Sequence, residues 1–335
     1  MSTRIARLFV VMSLITIAFA QEKPAGDKVG ILIMAHGGTP EWNAAVEDAV
    51  APLREHCPVV IAYGMAEPAS LQPGVAELET MGVNKIAVVR AFISGESFLH
   101  QTEYLLGLRP DAPAYFVMHD HAAMKSDKGD AANHASAHAG HSMDQSGNHG
   151  NHGSHDSGDS QSKPDPINTS SQLILSQPGL VDSPLMAGIL RERVKALSKN
   201  PAEESVLILG HGVGDDREND ALIAKMGALT GGINELGKFR EVRAETLRED
   251  WPDKRKPAED RIRAFVAKGN ENGGNVIVVP FRLFGFGEYN KVLEGLTYVS
   301  EGKGLLPHPI ITDWLKAQAV DCVQRAGWES PFAAN

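Results

Sequence analysis

An apolar run that stops at His-Gly occurs twice, once in each half of the chain: Leu32-Ile33-Met34-Ala35-His36-Gly37 and Leu207-Ile208-Leu209-Gly210-His211-Gly212. A continuous aliphatic stretch that ends at a polar group and a glycine is the pattern of a strand buried on both faces of a parallel sheet. Open α/β sheets bind ligands outside the carboxyl ends of their strands. The repetition therefore predicts two α/β units, each with one imidazole at a strand end.

The surrounding pattern supports this. In the first half the spacing predicts strands over 29–35, 58–64 and 85–92, with helices over 41–56 and 71–81 between them. That alternation is the signature of βαβ units and a parallel sheet. A short helix over 102–108, the start of a strand at 115–118, a structured segment at 173–175 and a helix over 184–197 complete the half. The second half repeats the plan: strands over 205–209, 239–244 and 275–280, helices over 216–230, 257–268, 290–296 and 309–325. The reading is an α/β protein of two similar units, residues 28–198 and 203–330, each a parallel sheet flanked by helices.

Two segments lie outside that plan. Arg4 and Arg7 precede the apolar run Leu8–Ile17, and Ala18-Phe19-Ala20 forms a small-x-small pattern before Gln21. Residues 1–20 read as a secretory signal peptide, too short an apolar run for a membrane span of ~20 residues. The expected location is outside the cytoplasm, periplasmic or secreted. The second segment, 119–166, is Gly, Ser, Asp, Asn, Ala and His with almost no large apolar residue. It cannot bury enough surface to offset its ordering entropy, and composition predicts disorder. It carries His119, His121, His134, His138, His141, His149, His152 and His155 among several aspartates. Such a tract suits low-selectivity capture of Co²⁺, Ni²⁺, Cu²⁺ or Zn²⁺ and would raise the local metal concentration.

A net charge of −10 over 335 residues argues against a nucleic-acid partner. Cys57 and Cys322 stand one in each half, and an oxidising compartment permits their pairing without requiring it. Two cysteines make no thiolate cluster, so a metal site must rest on histidines and carboxylates. The His-Gly loops lack the glycine spacing and lysine of a phosphate-binding P-loop, and no G-x-S-x-G nucleophile elbow is present.

Aligning the halves gives three recurrent polar positions. His36 corresponds to His211. Glu67, in Met65-Ala66-Glu67-Pro68, corresponds to Glu249, in Leu247-Arg248-Glu249-Asp250; His100 falls opposite Asn290. Three strand ends in the first half thus offer His36, Glu67 and His100, a donor set suited to an open site for a divalent first-row metal and to proton transfer near neutral pH.

At these residues the chain resembles the class II chelatases of the sirohydrochlorin cobaltochelatase type, in their long, duplicated form. The family pattern of strand, His-Gly, polar loop and helix-starting Asn is met by His36 to Asn43 and, with a loop one residue longer, by His211 to Asn219. Its Glu-Pro is met by Glu67-Pro68, its second histidine by His100, and its His-Pro by His308-Pro309. The resemblance implies a metallochelatase, a lyase inserting a divalent metal into a tetrapyrrole such as sirohydrochlorin. Cobalt is favoured, with iron or nickel as other substrates, and no organic cofactor is implied. It assigns metal ligation and proton acceptance to His36 and His100 and a ligating or relaying role to Glu67, with His211 as the second-half equivalent. The chain departs from the family in a longer loop before His100, the missing second histidine of the second half, and the leader. The alternative is a non-catalytic exported protein that binds or delivers metal or tetrapyrrole. The partners implied are the tetrapyrrole and the metal, with no membrane contact after the leader is removed.

Overall fold

The computed structural model describes residues 26–113 and 163–333. The leader, the strand start at 115–118 and the histidines from His119 to His155 lie outside the described residues. Within them the first half runs β1 (Val29–Ala35), α1 (Pro40–Val50), β2 (Val59–Tyr63), α2 (Pro68–Thr80), β3 (Lys85–Arg90), α3 (Leu99–Leu105), β4 (Gln172–Leu175) and α4 (Met186–Leu197). The second runs β5 (Glu204–Gly210), α5 (Asp216–Ala228), α6 (Gly231–Asn234), β6 (Glu241–Thr246), α7 (Pro252–Gly269), β7 (Asn275–Phe281), α8 (Tyr289–Val292) and α9 (Pro309–Arg325).

The strands form two parallel sheets, ordered β2-β1-β3-β4 and β6-β5-β7. The strand that ends in His-Gly is flanked on both sides in each sheet. The chain moves from it to one neighbour and then returns to the other, which makes the gap between β1 and β3, and between β5 and β7, a topological switch point. Alternation along β1 sends Ile31, Ile33 and Ala35 to a core shared by both halves and Leu32 and Met34 to a second core under α2 and α3. Along β5, Val206 and Ile208 join the shared core while Leu207 and Leu209 pack under α7. Both faces are covered, so the apolar run is continuous in sequence.

Helix ends follow local chemistry. The Thr39 Oγ1 accepts from the Trp42 amide at 3.4 Å, and the Asp215 carboxylate accepts from the Arg217 and Glu218 amides at 2.9 and 3.0 Å. The helix expected over 41–56 stops at Val50 and tightens into a 3₁₀ turn over Ala51–Glu55, where Pro52 stands. The helix expected from Pro257 begins a turn and a half earlier at Pro252, which takes the first-turn position; Pro257 sits inside the helix. Cys57 and Cys322 are both free and buried, so no disulfide joins the halves.

The two units exchange their closing helices. α4, which ends the first half in sequence, packs on β7 and α6 of the second. Its Arg193 donates to the Gly304 and Pro307 carbonyls at 3.2 and 3.1 Å, and its Glu192 meets His308 at 3.0 Å. α9, which ends the second half, packs on β3, β4 and α1 of the first. There Cys322 and Val323 bury against Ala87, and Thr312 donates to the Ala49 carbonyl at 2.8 Å. The packing units therefore interlock across the 198–203 boundary read from the sequence. No helix among the described residues is long and apolar enough to cross a membrane.

Candidate functional site

Each His-Gly turn is built the same way. The amide two residues past the histidine donates to an asparagine Oδ1 in the following helix: Gly38 to Asn43 at 3.0 Å, and Val213 to Asn219 at 3.3 Å. Each glutamate after the second strand follows a residue in the left-handed region, Ala66 with φ 52° and Arg248 with φ 58°. That shared backbone reversal supports pairing Glu67 with Glu249, although the first-half loop is one residue longer.

In the first half, His36 stands half-buried at the end of β1. Its ring lies 5.1 Å from Phe92 and 6.1 Å from Phe98, both edge to face, and the two phenylalanines touch each other at 5.5 Å. The neighbouring loop is joined on by the Gly64 amide, which donates to the Ala35 carbonyl at 3.0 Å. Glu67 opens α2 and is only 4% exposed. α3 is tied to both loops: Phe98 contacts His36, and Gln101 Nε2 donates to the Ala66 carbonyl at 2.8 Å. So the structure gathers His36, the Glu67 loop and the start of α3 at one end of the sheet. His100, next to Gln101 on α3, faces solvent where Gln101 is buried. Its imidazole is 60% exposed and its Nδ1 meets Glu103 Oε2 at 3.1 Å. Among the described residues no group of three or more His, Cys, Asp or Glu stands in a metal-holding arrangement.

Arg90 is a residue that the strand pattern passed over. It ends β3, is 1% exposed, and has no carboxylate against its guanidinium among the described contacts. Instead Nε donates to the Ser176 carbonyl at 3.0 Å, Nη1 to Ser97 at 2.8 Å, and Nη2 to Gly95 and Gln177 at 2.7 Å each. Desolvation lowers its pKa to about 10, while Glu103, Glu96 and Asp182 oppose the shift. It remains a cation at neutral pH and fixes the loop that carries Phe98. A basic residue closing an otherwise aliphatic strand was the available signal.

In the second half, His211 Nδ1 donates to the Gly212 carbonyl at 3.0 Å. Its Nε2 lies 3.2 Å from Asp250 and 3.8 Å from Glu249, and its ring meets Trp251 edge-on at 6.1 Å. Burial opposes protonation, but the Asp250 and Glu249 carboxylates outweigh it and raise the imidazole pKa above 6.5. Glu249, 8% exposed, is held by Arg282. Asn290 lies exposed on α8 and accepts from the Lys291 amide at 2.9 Å.

Residues 30–102 match the family model CbiX. That segment contains His36, Glu67 and His100; His211 and Glu249 lie outside it. No curated protein sequence matches the chain. Among solved structures, SirB from Bacillus subtilis with Fe³⁺ is 12% identical, with a TM-score of 0.54 over 89% of this chain and 95% of that one. The sirohydrochlorin chelatase SirB from Bacillus subtilis subspecies spizizenii in complex with cobalt is also 12% identical, with a TM-score of 0.52 over 90% of this chain and 97% of that one. At that identity the likeness establishes the fold. The described chain thus shares the α/β fold of these structures, and the residues that match the CbiX model span the first-half candidate site.

Proposed function

We propose that this protein is a metallochelatase that inserts a divalent metal into a tetrapyrrole, with the first half as the working half. The observation that carries the reading is the coincidence of the CbiX segment with the strand-end cluster of His36, Glu67 and α3. Cobalt into sirohydrochlorin is the first assignment, with iron and nickel as competing substrates. Metal insertion exchanges one dication for two pyrrole N–H protons, so it needs a base beside the entering ion. Imidazole has the ordinary pKa for that task near pH 7. In this reading His36 presents the metal and accepts a proton from the pyrrole, Glu67 ligates the ion or relays the proton, and His100 joins them on release from Glu103. The leader directs export, and the histidine tract collects metal for the site; dialysis of the 119–159 peptide against micromolar Co²⁺, Ni²⁺ and Zn²⁺ tests that role.

The decisive measurement is spectrophotometric metal insertion at substoichiometric protein. Repeated turnover with cobalt, and a loss of about 100-fold or more in His36→Ala, is the expected result. Full activity in His36→Ala would end this assignment. The engagement of His100 with Glu103 favours one second reading, an exported binding or delivery protein. That protein would titrate metal or tetrapyrrole once and never turn over.

A further inference from the structure

The two switch-point gaps are filled differently. Pairing matches Met34 with Arg90 in the first sheet and Leu209 with Pro280 in the second. Counting on by two residues, Phe92 and Arg282 occupy the same position at the far side of the gap from the histidine strand. In the first half this position is an aromatic ring laid against His36. In the second it is a guanidinium that reaches across the gap to Glu249, the carboxylate equivalent to Glu67. The pocket around Arg282 is shaped for it. Its Cζ lies 5.5 Å from the centre of the Tyr289 ring, and a Cβ on Gly287 would come within 2.6 Å of Nη1. Gly287 also has φ 61°, so both the space and the backbone at that turn call for glycine.

We propose that Arg282 is a specificity-determining residue that closes the second half to metal, its fixed positive charge standing where the first half has the uncharged ring of Phe92. This rests on the reading above only in taking the first half as the metal-handling one. His211, Glu249 and Asp250 are suitable donors by chemistry. A guanidinium cannot be deprotonated near neutral pH and does not yield its carboxylate to an incoming ion without leaving two charges in a poorly hydrated gap. One further break in the symmetry is then the exchange of Phe92 for Arg282, which engages the second unit's Glu249 from within.

The test is Co²⁺ binding to the full chain at pH 7 by equilibrium dialysis, read as differences between variants so that the histidine tract cancels. Wild type and His211→Ala should bind equal amounts. Arg282→Phe, which installs the first-half residue, should bind about one further equivalent, and that equivalent should vanish in Arg282→Phe with His211→Ala. A folded Arg282→Phe that gains nothing, or a wild-type chain that loses an equivalent with His211→Ala, overturns the proposal. If Arg282→Phe does not fold, Arg282→Gln serves in its place with the same expected gain. Should neither fold, the loss of an equivalent in His211→Ala relative to wild type would still overturn the proposal. None of these readouts depends on tetrapyrrole turnover, so failure here and failure of the chelatase reading are separate results.

Discussion

Thr312, in the last helix, donates to the carbonyl oxygen of Ala49, in the first helix, at 2.8 Å. The bond marks where α9 crosses back onto the opening unit, and Trp314 buries beside it at 1% exposure. Interlocked units should lose structure together. Chemical denaturation is expected to give one transition for both halves, followed by far-UV circular dichroism and tryptophan fluorescence. Trp314→Ala should shift that single transition by about 3–5 kcal/mol. Two separated transitions would show the halves to be independent.

Removing the Arg90 guanidinium strips four carbonyls, two of them in buried bonds and two in part-buried ones, of this donor. Each orphaned buried acceptor costs about 1–3 kcal/mol, so Arg90→Met should be among the most destabilising single changes in the first half. Lysine keeps the charge but not the planar fork, and Arg90→Lys should recover only part of the loss. Hydrogen exchange of the amides at 94–98 is the matching local readout, accelerating in both variants.

The Asn43 and Asn219 side chains do the same job with different burial. Asn219 is buried and also accepts from Thr246 Oγ1 at 2.8 Å, whereas the Asn43 bond is exposed. Asn219→Ala should therefore cost about 2–3 kcal/mol, and Asn43→Ala at most about 1 kcal/mol. If Asn43→Ala nevertheless lowers metal insertion, the first turn is part of the working site.

His211 gives the second half a pH signature. Its folded pKa is raised above the unfolded value of 6.5 because the Asp250 and Glu249 carboxylates overcome desolvation. The stabilisation it gives is complete below that unfolded value and is lost as pH rises through the folded one. Melting temperatures of wild type and His211→Gln should differ most near pH 6 and converge toward pH 9. A constant gap would mean that the imidazole is not charged in the native state.

Burial raises the thiol pKa of both Cys57 and Cys322 to about 11. Neither should react with a thiol-specific chromogen at pH 8 in the native protein, and both should react on unfolding. Rapid native labelling of either would show that its cover opens.

Much of the architecture was legible because strand burial writes itself directly into residue type. β1 and α9 run over the residues their patterns predicted, 29–35 and 309–325. The correspondence of His36 with His211 and of Glu67 with Glu249 could be drawn from the sequence because each residue follows a strand of recognisable pattern. What sequence could not show were relations between distant residues. The exchange of α4 and α9 depends on contacts such as Arg193 with Gly304 and Arg325 with Leu175, far apart in the chain. Arg90 finds its acceptors at Ser176 and Gln177 across the whole insertion. The side of α3 that His100 occupies was hidden for another reason. Gln101 and His100 are both polar, and it takes a contact with a distant loop, such as the Ala66 carbonyl, to turn Gln101 inward.

The crossing of α9 onto the first sheet also sets an order of events during synthesis. β1, β2 and β3 leave the ribosome early, but the apolar patch at Ala87 has no cover until Cys322 and Val323 have been made. The nascent first unit must therefore wait with one face of its sheet open, and the synthesis of α9, rather than completion of that unit, is the moment at which the fold can close.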